Sequence, residues 1–81
     1  MEQTREALVR IFDDLMPNES LPVPERTRTN CLGWDSLTQL NLMLAIEQEF
    51  GITFSDDDGA DMNSFEMALI VVQEKLAQLN Q

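Results

Sequence analysis

The sequence predicts an all-α fold, namely a small antiparallel bundle of three main helices with a short additional helix or turn. Three stretches repeat apolar residues at the spacing of an amphipathic helix, and prolines and glycines separate them. No stretch competes as a strand by alternating apolar and polar residues. The chain has 81 residues, 43% of them apolar, which is enough for one modest core. We therefore expect a single domain over residues 1–81.

The first helix is predicted from Glu2 to Met16, because Pro17 disfavours helical geometry in the residue before it. Its buried face is predicted to consist of Leu8, Ile11, Phe12 and Leu15. A long loop over residues 17–34 follows, since prolines and asparagines interrupt it and its polar residues show no period. Three apolar residues are expected to attach this loop to the helices: Leu21, Val23 and Leu32.

The second helix is predicted to begin at Asp35 or Ser36 and to end at Phe50. Gly51 is then expected to terminate it, because glycine readily adopts the left-handed conformation found just past helix ends. The core face of this helix is predicted to consist of Leu40, Met43, Ile46 and Phe50.

The second connection covers residues 52–63, in which Ile52 and Phe54 are expected to point inward and an acidic run allows one short helical turn. The last helix is predicted to run from Ser64, its N-cap, to about Leu79. Its narrow buried face is predicted to consist of Phe65, Ala68, Leu69, Val72, Leu76 and Leu79.

The second helix carries another stripe, made of Leu37, Asn41, Leu44 and Gln48. Its two leucines are not needed for the core face, and Glu47 lies between the two stripes. Either the leucines are exposed and form a contact surface, or the loop over residues 17–34 covers them. The pattern alone leaves both interpretations open.

Fifteen acidic and five basic residues give the chain a formal charge of −10. This charge argues against binding to nucleic acid and to anionic membranes, both of which need a basic surface. It favours protein partners with basic docking patches, which would be attracted electrostatically. The alternative is that the charge only keeps a small domain soluble.

We expect a soluble, cytoplasmic monomer. The single cysteine, Cys31, excludes an internal disulfide and fits a reducing compartment, where we expect it as a partly buried, small apolar residue. The N-terminal stretch has the pattern of neither a signal peptide nor a basic transit peptide. The longest apolar run, Met67–Val72, is too short to span a bilayer.

The residue types argue against an enzyme. The chain has no histidine and no tyrosine, so a Ser-His-Asp triad and a zinc site of cysteine and histidine are excluded. A calcium loop with Gly59 at its sixth position would place phenylalanines, Phe54 and Phe65, at its first and last ligand positions. Lys75 is interpreted as a surface charge rather than a Schiff-base lysine. We therefore expect no catalytic residue and no metal ligand.

Ser36 allows two interpretations. Either Asp35 or Ser36 caps the second helix by accepting a hydrogen bond from a free backbone N–H. Alternatively, the Ser36 hydroxyl holds a phosphodiester, because the positive end of the helix dipole favours an anion. The exposed leucines beside it would then offer a surface to a modifying enzyme or a catalytic partner.

The stretch "GWDSLTQLNLMLAIEQEFGI" resembles the signature of the acyl carrier protein family, in which Asp-Ser-Leu opens the second helix. The similarity extends over roughly the whole chain, including the acidic connection and the last helix. It implies that a phosphopantetheinyl transferase attaches 4′-phosphopantetheine from coenzyme A to Ser36. Asp35 would cap the helix and help to present Ser36. The arm would carry acyl groups as thioesters to separate enzymes, and the carrier would catalyse nothing itself.

The resemblance also assigns two sets of residues. The partner-docking surface would consist of Leu37, Asn41 and Leu44, with Glu47 and Gln48 beside them. The acyl pocket would be lined by Leu40, Ile46 and Phe50.

The chain departs from carriers of general fatty acid synthesis near the serine. Thr38, Asn41 and Gln48 stand where those carriers usually have acids, and Trp34 stands where a small residue is usual. These departures favour a specialised carrier for a dedicated pathway, such as polyketide, modified lipid or cell-envelope assembly. Two alternatives are a carrier of aminoacyl or peptidyl groups and a helical adaptor without a prosthetic group.

Overall fold

The computed structural model describes residues 2–79, and within this range the chain is all-helical, as predicted. The helices are α1 (Glu2–Leu15), α2 (Ser36–Phe50), α3 (Asp56–Asp61) and α4 (Phe65–Leu79), with one turn of 3₁₀ helix at Val23–Glu25. The six-residue α3 is the short helix expected in the acidic connection. No helix among the described residues has both the length and the apolar character needed to cross a membrane.

The core is centred on Phe12 of α1, whose side chain is fully buried. Its ring makes edge-to-face contacts with Trp34 and Phe65, each with 5.2 Å between ring centroids. Such pairs stabilise a core beyond the burial of their area, by about 0.5–1.5 kcal/mol each. Phe12 therefore joins α1 to the residues just before α2 and to the first turn of α4.

The loop over residues 17–34 is held to the helices mainly by Arg26. The Arg26 guanidinium is buried, donates from Nε to the carbonyl of Leu21 at 2.8 Å, and lies 3.4 Å from Asp13 of α1. The carbonyl of Arg26 also accepts a hydrogen bond from Phe65 N at 3.0 Å. Val23 is buried as predicted, so the middle of the loop is attached both to α1 and to the start of α4.

The prediction that Leu32 attaches the loop was wrong, because its side chain is fully exposed. Trp34 N donates to the carbonyl of Cys31 at 3.1 Å, which closes a turn with Leu32 and Gly33 at its tip. Cys31 and Trp34, on either side of the tip, are both buried, so Cys31 is buried more deeply than the sequence predicts.

The bounds of α2 confirm the prediction, with Asp35 as N-cap and Gly51 in the left-handed conformation after Phe50 (φ 66°). The predicted core face was partly wrong. Ile46 is fully buried, Met43 and Phe50 are half-buried, but Leu40 is exposed. Gln39 and Leu42 occupy the core side instead. The helix is thus rotated from the predicted orientation, because a hydrogen-bonded glutamine takes an interior position.

The short helix α3 has no buried side chain of its own. Its N-terminus is closed by a capping box, in which Ser55 Oγ accepts from Asp58 N and the Asp58 carboxylate accepts from Ser55 N. Lys75 of α4 lies 2.8 Å from the same carboxylate. Lys75 is thus a charged residue that is half-buried and forms an ion pair with α3.

α4 supplies the last wall of the core. Ser64 is its N-cap as predicted, with Met67 N donating to Ser64 Oγ at 3.1 Å. The residues of α4 that are buried are Phe65, Ala68, Val71 and Val72. Leu79 belongs to the predicted face but is exposed.

Candidate functional site at the start of α2

The turn into α2 is closed by Asp35 and not by the neighbouring serine. Asp35 Oδ1 accepts a hydrogen bond from Thr38 N at 2.9 Å, and the carbonyl of Asp35 accepts from Gln39 N at 2.9 Å. The hydrogen bond from the backbone N–H of Thr38 lowers the pKa of the Asp35 carboxyl, so this group is a carboxylate at neutral pH. The choice between Asp35 and Ser36 as N-cap is thereby decided.

Ser36 is the first residue of α2, and its side chain is exposed. Because Asp35 provides the cap, the Ser36 hydroxyl is not needed to close the helix. It stands at the end of α2 where backbone N–H groups and the helix dipole favour an anion. The neighbouring Asp35 carboxylate uses Oδ1 as the acceptor for Thr38 N.

The interior side of this turn is formed by Trp34 and Gln39. Trp34 is buried, and its Nε1–H donates to Gln39 Oε1 at 2.6 Å. Gln39 Nε2 donates to the carbonyls of Gly59 at 2.9 Å and Met62 at 3.2 Å. Sequence reasoning missed Gln39, because glutamine is usually a surface residue. The indole N–H of Trp34, which needs a partner when buried, was the available signal.

The outer side of α2 exposes three leucines. The exposed fractions of Leu37, Leu40 and Leu44 are 66%, 53% and 48%. Asn41 and Gln48 are exposed on the same side. The loop over residues 17–34 therefore leaves this stripe uncovered, which decides between the two interpretations of the pattern. Leu40 belongs to the stripe, whereas the sequence had assigned it to the core.

Glu47 differs from the other residues of the predicted docking surface. Its side chain is half-buried, and Oε2 accepts a hydrogen bond from Phe54 N at 2.8 Å. The same residue's carbonyl accepts from Gly51 N at 2.9 Å. Glu47 thus holds the chain as it leaves α2.

The residues predicted for an acyl pocket differ in how deeply they are buried. Ile46 lies in the core, Phe50 is half-buried and Leu40 faces outward. A cavity of about 270 Å³ is lined by Gly51, Ile52, Thr53, Lys75, Gln78 and Leu79. It lies near the other end of α2, about 22 Å along the helix from Ser36 at 1.5 Å per residue.

Two comparisons with known proteins address the identity of the chain. A family model described as "Phosphopantetheine attachment site" matches residues 6–66, which include Ser36 and the whole of α2. The solution NMR structure of holo acyl carrier protein from Geobacter metallireducens is similar to this structure, with a TM-score of 0.79 and 26% sequence identity. The similarity covers 93% of this chain and 87% of that chain.

The family match spans about three quarters of the sequence, and the structural similarity covers nearly all of it. Carriers of this family interact with phosphopantetheinyl transferases and with enzymes that handle acyl groups. The chain belongs to the phosphopantetheine-attachment family and is a non-catalytic carrier of the acyl carrier protein type, whose prosthetic group is covalent 4′-phosphopantetheine.

Proposed function

We propose that Ser36 is the attachment residue and that the chain carries acyl groups as thioesters on the arm it bears. The observation that supports this assignment most is that Asp35 and Ser36 have different roles at the start of α2. Asp35 makes the cap, which leaves the exposed hydroxyl of Ser36 available for modification. The phosphodiester formed there would lie at the positive end of the α2 dipole, where an anion is stabilised.

In the loading step, the Ser36 oxygen forms a bond to the phosphorus of coenzyme A that bears the pantetheine. The bond from that phosphorus to the adenosine 3′,5′-bisphosphate breaks, and this bisphosphate is the leaving group. The hydroxyl proton goes to a base of the transferase. The carrier contributes the position of the hydroxyl, and Asp35 holds the backbone that positions it.

The exposed face of α2 is the docking surface that we propose for partner enzymes. It comprises Leu37, Asn41, Leu44 and Gln48, with Leu40 in addition and Glu47 at its edge. Its residues between Ser36 and Ile46 carry no charge, so contacts there are apolar contacts and neutral hydrogen bonds. The net charge of −10 supports steering toward partners with basic patches.

We further propose a specialised carrier that serves a dedicated pathway of lipid, polyketide or related synthesis. Thr38, Asn41 and Gln48 support this proposal, because they give α2 a neutral face where an acidic one would bind basic partners. The proposed unit is one domain over residues 1–81, acting as a monomer in the cytoplasm. The alternative is an aminoacyl or peptidyl cargo, and tests of the loaded form must distinguish it from an acyl cargo.

The attachment is tested by intact-mass measurement. The purified chain is incubated with coenzyme A, magnesium and a broad-specificity phosphopantetheinyl transferase. The wild type should gain the mass of one phosphopantetheinyl group, and Ser36→Ala should gain none. Ser20→Ala is the matched control, since Ser20 is an exposed loop serine and its loss should leave loading intact. Failure of the wild type to load, beside a known carrier that does load, would overturn the assignment.

The dedicated pathway is tested with the loaded form. General fatty acid synthase enzymes are supplied with the holo carrier, and elongation is followed by mass. Slow or absent elongation is expected, because the part of α2 from Ser36 to Ile46 has no charges for basic docking patches to bind. Elongation at the rate of a general carrier would count against a dedicated pathway but leave the attachment residue unaffected.

A further inference from the structure

Both polar atoms of the Gln39 side-chain amide form hydrogen bonds inside the protein. Oε1 accepts from the indole Nε1–H of Trp34, and Nε2 donates to the carbonyls of Gly59 and Met62. An indole N–H only donates and a carbonyl only accepts, so these partners determine which way the amide is oriented. A buried amide with three hydrogen bonds has one low-energy position, because any rotation leaves polar groups unpaired.

Two of these hydrogen bonds end at the C-terminus of α3. The carbonyls of Gly59 and Met62 both lie at this end, and that of Gly59 also accepts a hydrogen bond from Met62 N at 3.3 Å. Gln39 of α2 thus caps α3 from outside. Since α3 has no buried side chain, it depends on polar ties such as this one and the Lys75–Asp58 pair at its other end.

The third hydrogen bond joins two residues that lie on either side of Ser36 in the sequence. Ser36 lies between Trp34 and Gln39, whose side chains are joined at 2.6 Å. Trp34 is itself fixed by its edge-to-face contact with Phe12. A side-chain bridge between residues 34 and 39 therefore closes around the serine turn and ties it both to the core and to α3.

We infer that Gln39 is a positioning residue for Ser36, which holds the serine turn and α3 in one arrangement. This inference rests on the proposed attachment at Ser36. Gln39 is buried and does not touch a docked enzyme, so it acts through Trp34 and the backbone of the turn. Its removal disturbs the alignment of the hydroxyl with the attacked phosphorus, while the exposed docking face stays as it is.

The test is steady-state loading by a phosphopantetheinyl transferase with coenzyme A. Gln39→Met keeps the length of the side chain and removes all three hydrogen bonds. The kcat for loading of this variant should fall roughly tenfold to a hundredfold, because displacing a reacting group by about 1 Å slows a reaction by up to this factor. The KM should change less than about twofold. Gln78→Met is the matched control, because Gln78 is an exposed residue of α4 that lies near the C-terminal end of α2, far from Ser36. This variant should load at the wild-type rate.

A second variant keeps the inference testable if Gln39→Met folds poorly, as judged by helical circular dichroism. Trp34→Phe removes the indole N–H together with part of the buried ring, and keeps a smaller aromatic ring against Phe12. Its kcat should fall in the same direction by a smaller factor. In the double variant the two effects should be less than multiplicative, because both remove the same hydrogen bond.

Each outcome has a definite meaning. A wild type that cannot be loaded overturns the proposed function itself. If the wild type loads and the folded variants load with unchanged kcat, the positioning role of Gln39 is wrong while the attachment at Ser36 stands. A rise in KM alone would also overturn it, since Gln39 would then act on docking.

Discussion

Lys75 of α4 and Asp58 of α3 form an ion pair with 2.8 Å between Nζ and Oδ2. The same carboxylate oxygen accepts from Ser55 N at 2.9 Å, so one group closes the N-terminus of α3 and ties the helix to α4. Both side chains are largely shielded from solvent, with exposed fractions of 26% and 19%. This shielding makes the pair stronger than an ion pair fully in water.

Asp58→Asn should destabilise the protein at neutral pH by about 1 kcal/mol, because it removes the charge that pairs with Lys75 and weakens the capping box. For a domain of this size, this corresponds to a fall in Tm of roughly 4–8 °C. Thermal unfolding followed by circular dichroism measures it. Asp57→Asn is the control, since Asp57 is an exposed neighbour, and its Tm should stay close to that of the wild type. Equal Tm values for the two variants would contradict the importance of the pair.

The contribution of Asp58 should also depend on pH. The hydrogen bond from Lys75, and then that from Ser55 N, lowers the pKa of Asp58 in the folded state. A lowered folded-state pKa gives stabilisation that is complete above the unfolded-state pKa of about 3.9 and is lost as pH falls below it. The free energies of unfolding of wild type and Asp58→Asn should therefore differ at pH 7 and converge below about pH 4.

The difference between the two proteins is the quantity to measure, from urea titrations across this pH range. The wild-type curve alone also contains the relief of self-repulsion as a chain of charge −10 becomes protonated, and this effect has the opposite sign. A difference that stays constant down to pH 2 would show that Asp58 has an ordinary pKa.

Leu40 and Leu42 should respond oppositely to truncation, because α2 exposes the first and fully buries the second. Leu42→Ala should cost about 2–5 kcal/mol, as expected for a leucine removed from a close-packed core. Leu40→Ala should change stability by less than about 0.5 kcal/mol. Urea unfolding of the two variants measures both. A large cost at Leu40 would restore the core face that the sequence predicts.

The bounds of α2 could be predicted because their signals are local. Asp35 is a good N-cap, and Gly51 can adopt the left-handed conformation that ends the helix. The orientation of α2 could not be predicted in the same way. It depends on Gln39, whose partners Gly59 and Met62 lie about twenty residues further along the chain. A helical wheel ranks side chains by hydrophobicity and has no term for a buried amide with all its hydrogen bonds made.

In the candidate attachment site, too, some features could be predicted from the sequence and others could not. The position of the serine at the head of α2 follows from the residues themselves, whereas the exposure of Leu37 and Leu44 was one of two interpretations and is decided by the structure. Leu40 was assigned to the core because the helical wheel considered only apolar residues, and the interior position is taken by Gln39 instead. The full exposure of Leu32 was missed because the turn that places it outward is closed by backbone atoms, which composition does not reveal.

Cys31 should react slowly with thiol reagents in the native protein. Its side chain is 3% exposed, and burial raises the pKa of the thiol, so little of the reactive thiolate is present at pH 8. In the holo form the arm adds a second thiol, which extends into solvent and should react at least roughly tenfold faster. Reaction with an aromatic disulfide reagent, followed by absorbance, should detect one fast thiol in the holo protein and none in the apo protein. Addition of a denaturant should expose the Cys31 thiol in both.

Ser36→Ala treated with the transferase is the control, and it should behave as the apo protein. Rapid labelling of the native apo chain would show that the turn around Cys31 opens readily, in conflict with its burial beside Trp34.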